Sequence, residues 1–269
     1  MKIAVILPVY KNDKVSYLHL SFDSILNQTY KDIHLYIGVD GPVGEELEKC
    51  LKEFERKENV TISWFKENRG LAIVLNDLLD VCLKEGYEYI ARMDADDISL
   101  PERFEKQLEY YKVHQEIECL GTWAIEITSN GEEYFRKQMP QIHEECLNLF
   151  RKRDPMIHPT VMFHRSYIEK AGMYALDTFF GEDTMMWAQG FAAGCKLGNV
   201  PEYLFKFRLD DNFFERRRGW KYAKGIWELR HRVNKMLGFG IVEECWALAY
   251  AAAKMMPKVI LNIIYKTAR

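Results

Sequence analysis

Three carboxylates fall within four positions in the run Arg92-Met93-Asp94-Ala95-Asp96-Asp97. The preceding residues Tyr87-Glu88-Tyr89-Ile90-Ala91 read as a strand, which puts Asp94 and Asp96 at or just beyond its C-terminal end. Alternation along an extended chain would turn those two to one side and Asp97 to the other. Carboxylates this close repel, and the cost is relieved by a proton, by basic neighbours or by a divalent cation. Hard oxygen ligands at a strand end suit Mg²⁺ or Mn²⁺ shared with a phosphate-bearing ligand. The same residues also fit a plain acidic turn, because Ser99-Leu100-Pro101-Glu102 is a good helix start. A second acidic pair, Glu182-Asp183, heads an apolar segment. Taken alone, it is two acids in a first helical turn, favoured by the helix dipole.

The elements that must position these groups alternate regularly over the first hundred residues. Residues 3–7 form an apolar strand stopped by Pro8, and Val15, Leu18, Phe22, Ile25 and Leu26 recur at helical spacing. Residues 33–39 and 60–65 predict two further strands, and residues 87–93 a fourth. Helices built on Leu47, Leu51 and Phe54, and on Leu71, Leu75 and Leu78, separate them. Strand and helix in strict alternation mean right-handed crossovers and a mainly parallel central sheet with helices on both faces. Ligands of such sheets bind beyond the carboxyl ends of the strands. Pro8-Val9-Tyr10, Asp40-Gly41, Glu67-Asn68-Arg69-Gly70 and Asp94-Ala95-Asp96 all fall at such ends. After Asp97 the pattern becomes mixed, with helices over residues 101–114 and 143–151 and a hairpin around Asn130-Gly131. A looser, apolar tail begins near Phe213.

The chain has 269 residues and a net charge of −3, so no overall basic field argues for a nucleic-acid partner. Six scattered cysteines show neither Cys-x-x-Cys nor zinc-ligand spacing and fit reduced thiols in the cytoplasm. No signal peptide is expected from the N-terminal residues. The longest uncharged run in the tail, residues 245–253, is nine residues long, whereas a bilayer span needs about 20.

Seven ordered segments carry a resemblance. Leu7-Pro8-Val9-Tyr10, residues 24–30, Val39-Asp40-Gly41, Glu67-Asn68-Arg69-Gly70-Leu71 with Asn76, Asp94-Ala95-Asp96-Asp97, residues 158–163 and Gly181-Glu182-Asp183 closely resemble the signature of the family 2 inverting glycosyltransferases. The resemblance covers roughly residues 2–220. It implies an α/β fold of GT-A type, in which residues 1–97 form a nucleotide-sugar-binding half. Residues 98–212 would be the acceptor-binding and catalytic half of the same domain, and residues 213–269 a helical tail.

Carried over position by position, the resemblance implies a set of roles. Pro8 and Tyr10 would line the nucleotide cleft. Asp40 would accept a hydrogen bond from the base, although many relatives have a further aspartate where Val39 stands here. Arg69 would contact the diphosphate or base. Asp94 and Asp96 match the family's D-x-D motif, with Asp96 as the direct ligand of Mn²⁺ or Mg²⁺ and Asp94 nearer the ribose. Glu182-Asp183 matches the pair that supplies the base, Asp183 taking the acceptor proton while Glu182 holds the acceptor or tunes its neighbour. His158 would touch a phosphate or the acceptor, against a structural hydrogen bond. Trp187 would form an acceptor wall, against a place in the core. Arg208, with residues 210–218, resembles a loop that folds over the donor.

The implied reaction moves a sugar from a nucleotide-sugar, a UDP-sugar by the family pattern, to a hydroxyl of a glycan or lipid-linked glycan in bacterial surface-polysaccharide synthesis. The implied place is the inner face of the plasma membrane. Residues 259–269 can lie in a membrane interface or pack on protein, including a second subunit of a homodimer. Two other classes remain open: a metal-dependent nucleotidyltransferase and a catalytically silent sugar-binding protein. The first should carry a glycine-rich loop after the first strand, where Pro8-Val9-Tyr10-Lys11-Asn12 has no glycine. The second could dispense with one acidic motif, and both are present.

Overall fold

The computed structural model describes residues 1–178, 180–210, 215 and 217–257. The chain opens with β1 (Ile3–Val9), α1 (Val15–Leu26), β2 (Ile33–Val39), α2 (Glu45–Phe54), β3 (Val60–Trp64), α3 (Leu71–Lys84) and β4 (Tyr89–Arg92). These four strands lie in the order β3-β2-β1-β4, all parallel, which is the order that right-handed crossovers produce. Because the order reverses at β1, a crevice opens beyond the ends of β1 and β4.

Strand β1 runs through Pro8 to Val9 rather than stopping at the proline. On the β4 side its pairing ends at Ile6, so Pro8 has a neighbouring strand on one side only, where a missing N–H is tolerated. Alternate residues of β1 enter different cores. Ile3, Val5, Leu7 and Val9 pack with Leu18 and Phe22 of α1, whereas Ala4 and Ile6 pack with Val74, Leu75 and Leu78 of α3.

The second half continues with β5 (Ile98–Ser99), α4 (Arg103–Val113), β6 (Ile117–Ile127), β7 (Glu133–Lys137), α5 (His143–Phe150), β8 (Met162–His164), α6 (Arg165–Ala171), α7 (Glu182–Ala192) and β9 (Lys196–Arg208). A 3₁₀ turn, His158–Thr160, precedes β8. Strand β8 joins the first half by pairing antiparallel to β4, and the sheet continues β8-β6-β9-β5 with β7 on β6. Five of the six cysteines are buried, and Cys245 is exposed.

Beyond β9 the expected loose tail is, in the described residues, two packed helices, α8 (Trp220–Leu237) and α9 (Ile241–Ala253). Leu229 and Val233 of α8 enter the same core as Trp187 of α7. No helix among the described residues is long and apolar enough to cross a membrane. Residues 211–214 and 216 of the expected donor loop, and the interfacial segment 259–269, lie outside the described residues.

Helix α7 begins at a forced position. Gly181 has φ +81°, and a Cβ placed there would meet Leu229 Cδ2 of α8 at 2.3 Å. Gly181→Ala is therefore expected to lose roughly 1–3 kcal/mol of stability, from left-handed strain and overpacking together. Urea unfolding checks this, and an unchanged midpoint would show that the start of α7 relaxes freely.

Candidate active site

The acidic turn follows β4, which ends at Arg92. Alternation therefore stops before Asp94, and the expected division of Asp97 from the other two does not occur. One carboxylate oxygen from each of Asp94, Asp96 and Asp97 lies within 4.8 Å of the others. Three attachments hold this repulsive group in place. Arg92, with only 2% of its side chain exposed, places Nη2 2.5 Å from Asp94 Oδ1. Ser21 Oγ donates to the Asp94 carbonyl at 2.8 Å. Arg208 donates its backbone N–H to Asp97 Oδ1 at 2.7 Å and its Nε to the Asp96 carbonyl at 2.8 Å.

That geometry corrects the reading of Arg208 as part of a closing loop. It is the last residue of β9, buried, stacked 4.2 Å over the Tyr17 ring, and its Nη1 also donates to the Thr128 and Ser129 carbonyls. A guanidinium so committed fixes the acidic turn.

The turn's electrostatics suit a cation. Burial, with the Asp94 charge beside it, pushes Asp96 up to about 6. Asp97, fully buried, is pushed well above the usual carboxylate range by burial and by Asp96 and Asp94. Its Oδ2 has no hydrogen-bond partner among the described residues. A cluster of carboxyl groups with an orphaned buried oxygen fits a divalent ion held by Asp96 and Asp94, with Asp97 behind them. A fourth acid, Asp13, was not singled out from the sequence. It accepts the Tyr10 N–H at 2.8 Å and is raised to about 7 by burial, then by the Asp96 and Asp94 charges. The available signal was a carboxylate three residues beyond Tyr10, in the loop that leaves β1.

At the ends of β1 and β2 lie Tyr10, exposed, half-buried Pro8 and Asp40, buried. The Asp40 N–H donates to the Val9 carbonyl at 2.8 Å, which joins the two strand ends. The Asp40 carboxylate organises the next loop: Oδ1 accepts the Arg69 N–H at 2.7 Å, and Oδ2 accepts the Gly70 N–H at 3.0 Å and Asn68 Nδ2 at 2.9 Å. Gly41, at φ +85°, lets that loop approach, since a Cβ there would meet the Asn68 backbone N at 2.6 Å. The Arg69 side chain pairs with Asp77 of α3 and stacks 4.1 Å over the Phe65 ring.

The second centre sits at the start of α7. Asp183 Oδ1 accepts the Thr184 N–H at 2.7 Å. Burial raises Asp183 to about 7, the negative charges of Asp154 and Glu182 add to this, and positive Arg92 opposes it. Asp154 was not anticipated. It accepts Thr184 Oγ1 at 2.9 Å and is paired with Arg230 of α8 at 2.9 Å.

Two residues read as ligand contacts are internal. Trp187 is fully buried against Phe163 and His158, so it belongs to the core and is no acceptor wall. His158 is buried with Nε2 2.8 Å from the Tyr174 hydroxyl, and burial beside Arg92 holds it well below the usual imidazole range. Here it makes the structural hydrogen bond.

Residues 4–172 match the profile described as glycosyl transferase family 2. The chain belongs to that family. A full-length relative, the amylovoran biosynthesis glycosyltransferase AmsE of Erwinia amylovora, is 30% identical over 99% of this chain and 98% of its own. A UDP-Gal:alpha-D-GlcNAc-diphosphoundecaprenol beta-1,3-galactosyltransferase of Escherichia coli is 29% identical over 82% of this chain and 79% of its own. Among solved structures, residues 1–349 of TarS from S. aureus, in complex with UDP-GlcNAc, superimpose with a TM-score of 0.65 at 15% identity, covering 94% of this chain and 72% of that one. That likeness speaks for the fold, which is GT-A. This family 2 glycosyltransferase is accordingly an enzyme, and the nucleotidyltransferase and silent-protein readings are not favoured.

Metal binding should be linked to protons at the acidic turn. Above about pH 6 Asp96 is already ionised, and below it each bound cation must displace a proton. Mn²⁺ affinity measured by calorimetry is expected to fall as pH drops through that value. An affinity constant between about pH 5 and 8 would remove Asp96 from the metal site.

Proposed function

We propose that this glycosyltransferase transfers a sugar from a UDP-sugar, with inversion, to a hydroxyl of a lipid-linked or growing glycan during bacterial surface-polysaccharide synthesis. The carrying observation is the division of acids into two centres with Arg92 between them electrostatically. One is a turn fitted to a cation and diphosphate, the other a single carboxylate held near neutrality by its surroundings. The donor and acceptor classes rest on the relatives, whose names specify polysaccharide synthesis, a UDP-sugar and a diphosphoundecaprenol-linked acceptor.

Asp183 takes the proton of the acceptor hydroxyl, and that oxygen attacks the anomeric carbon as its bond to the diphosphate breaks. One displacement needs one base and inverts the centre, so no carboxylate nucleophile is required. A base with pKa near the working pH is the effective choice, and Asp183 at about 7 meets that condition. Glu182 contributes negative charge to Asp183 and stands at the mouth of α7, where it can hold the acceptor.

Asp96 and Asp94 would hold a Mn²⁺ or Mg²⁺ ion, which would supply positive charge where the departing diphosphate becomes negative. On the nucleotide side, Pro8 and Tyr10 pack on base and ribose. Asp40 has spent three of about four acceptor positions on the 68–70 loop, leaving one for a base N–H. Arg69 lends its charge from the rim of that loop, tethered by Asp77. The reaction is placed at the cytoplasmic face of the membrane, where a lipid-linked acceptor would stand.

Asp183→Asn keeps the shape of the site but cannot accept a proton. The catalytic rate should drop by roughly 10²-fold or more with UDP affinity near normal. In the wild type, kcat/KM should rise with pH up to about 7 and then level, because only ionised Asp183 works. Donor binding lost in parallel with rate would move Asp183 to the nucleotide site.

The acidic turn predicts a different pattern. Asp96→Asn, or excess EDTA on the wild type, should nearly abolish turnover and metal-dependent UDP binding. Full activity in either case would exclude the cation from the mechanism.

A further inference from the structure

Helix α9 is inside out with respect to water. Its two acids turn toward the protein. Glu243 pairs with Arg151 at 2.8 Å and accepts the Gly240 N–H at 2.9 Å, while Glu244 accepts Asn234 Nδ2 at 3.1 Å and meets His231 at 3.1 Å. Ala247 and Ala251 are buried on the same side, where α9 packs on α8. At 100° per residue, Ile241, Val242, Cys245, Trp246, Leu248 and Ala249 fall on an outward arc about 160° wide that contains no charged residue. Ile241 is 77% exposed, Val242 62%, Leu248 54% and Trp246 47%. An ordinary surface helix shows the opposite arrangement.

A basic group borders this arc on the Trp246 side. Lys152 lies over the Trp246 ring at 5.0 Å. The Lys254 carbonyl accepts the Gly219 N–H at 2.9 Å, which brings exposed Trp220 beside the end of α9. Charge is divided along the whole chain in the same sense. Residues 217–269 carry eleven Lys and Arg against three Asp and Glu, a net of +8, whereas residues 1–216 carry twenty-six against thirty-seven, a net of −11. A symmetric dimer through α9 would set two such basic regions face to face. An anionic lipid surface satisfies the apolar arc and the basic region together.

We propose that α9 lies in the interfacial layer of an anionic phospholipid bilayer, with its uncharged arc inserted and Lys152, beside Trp246, at the headgroup phosphates. This goes beyond the transfer reaction and stands or falls without any sugar present. It also places the membrane one helix from the base, because α8 packs on both α9 and α7.

The test is co-sedimentation of the full chain with vesicles of phosphatidylglycerol and phosphatidylcholine, against vesicles of phosphatidylcholine alone. Binding is expected to the anionic vesicles and to weaken at high salt. The double variant Ile241→Glu/Trp246→Glu should bind about tenfold or more weakly. Both side chains point to solvent, so its melting temperature and UDP affinity should match the wild type. Ile241→Ser/Trp246→Ser is the milder control for folding. Unchanged vesicle binding by a folded double variant would overturn the proposal. So would a wild-type dimer in sedimentation velocity that the double variant dissociates, since a second copy would then cover α9. Binding that is lost on deleting residues 258–269 but kept by the double variant would assign the contact to those residues instead.

Discussion

The structure depends on keeping negative charge concentrated at one end of the sheet without letting it push the fold apart. Asp13, Asp94, Asp96 and Asp97 meet beyond the ends of β1 and β4, and Asp97 has no exposed surface. Carboxylates in such surroundings would ordinarily take up protons and become useless for holding a cation. Two buried arginines oppose that, and each is fixed by the strand that carries it. Arg92 ends β4, registered against Ile6 of β1, and Arg208 ends β9, where its own N–H reaches Asp97. The two sides of the sheet are thereby joined at the site, since β4 belongs to the first half and β9 to the second. Only a fully formed sheet assembles the turn.

Such a site is costly when empty, which is a property of many functional centres. Arg92 Nε and Nη1 and Asp97 Oδ2 are buried without hydrogen-bond partners among the described residues. On the proposed reading, a divalent ion and a diphosphate would change the balance, because the cation would relieve the acids and the phosphates would bring acceptors of their own. The raised carboxyl groups and the orphaned atoms thus point the same way. The energy withheld from stability is available for binding.

Much of this was legible in the sequence, for a physical reason. Alternating buried strands and amphipathic helices carry a strong periodic signal, and the expected elements at residues 33–39 and 143–151 match those observed to within a residue. Asp94 and Asp96 could be placed at the end of β4 because they directly follow a buried apolar run, although the spacing alone also fits a plain acidic turn. Pairings between distant segments carry no such signal. Nothing local ties Asp154 to Arg230 of α8, or Arg208 to the acidic turn. Trp187 shows the converse error: beside an acidic pair on a helix, an aromatic reads equally well as ligand wall or core, and burial decides. Asp97 was assigned to the wrong side because alternation was extended past Arg92, where the strand had ended.

The C-terminal helices also change how the proposed base should be understood. Asp183 owes its raised pKa to burial first and then to the neighbouring charges of Asp154 and Glu182. Asp154 is held by Arg230, which also donates to the Phe150 carbonyl, so one side chain of α8 ties the loop after α5 to the start of α7. Leu229, one residue earlier on α8, meets the left-handed glycine that begins α7. The position and the proton affinity of Asp183, the proposed base, are therefore set from a helix that the periodic pattern of the first hundred residues does not reach. A displacement of α8 would move Asp154 relative to Asp183 and shift the base with it. With Asp183 as the proposed base, the helices after β9 would be positioning elements, although none of their side chains needs to touch the sugar.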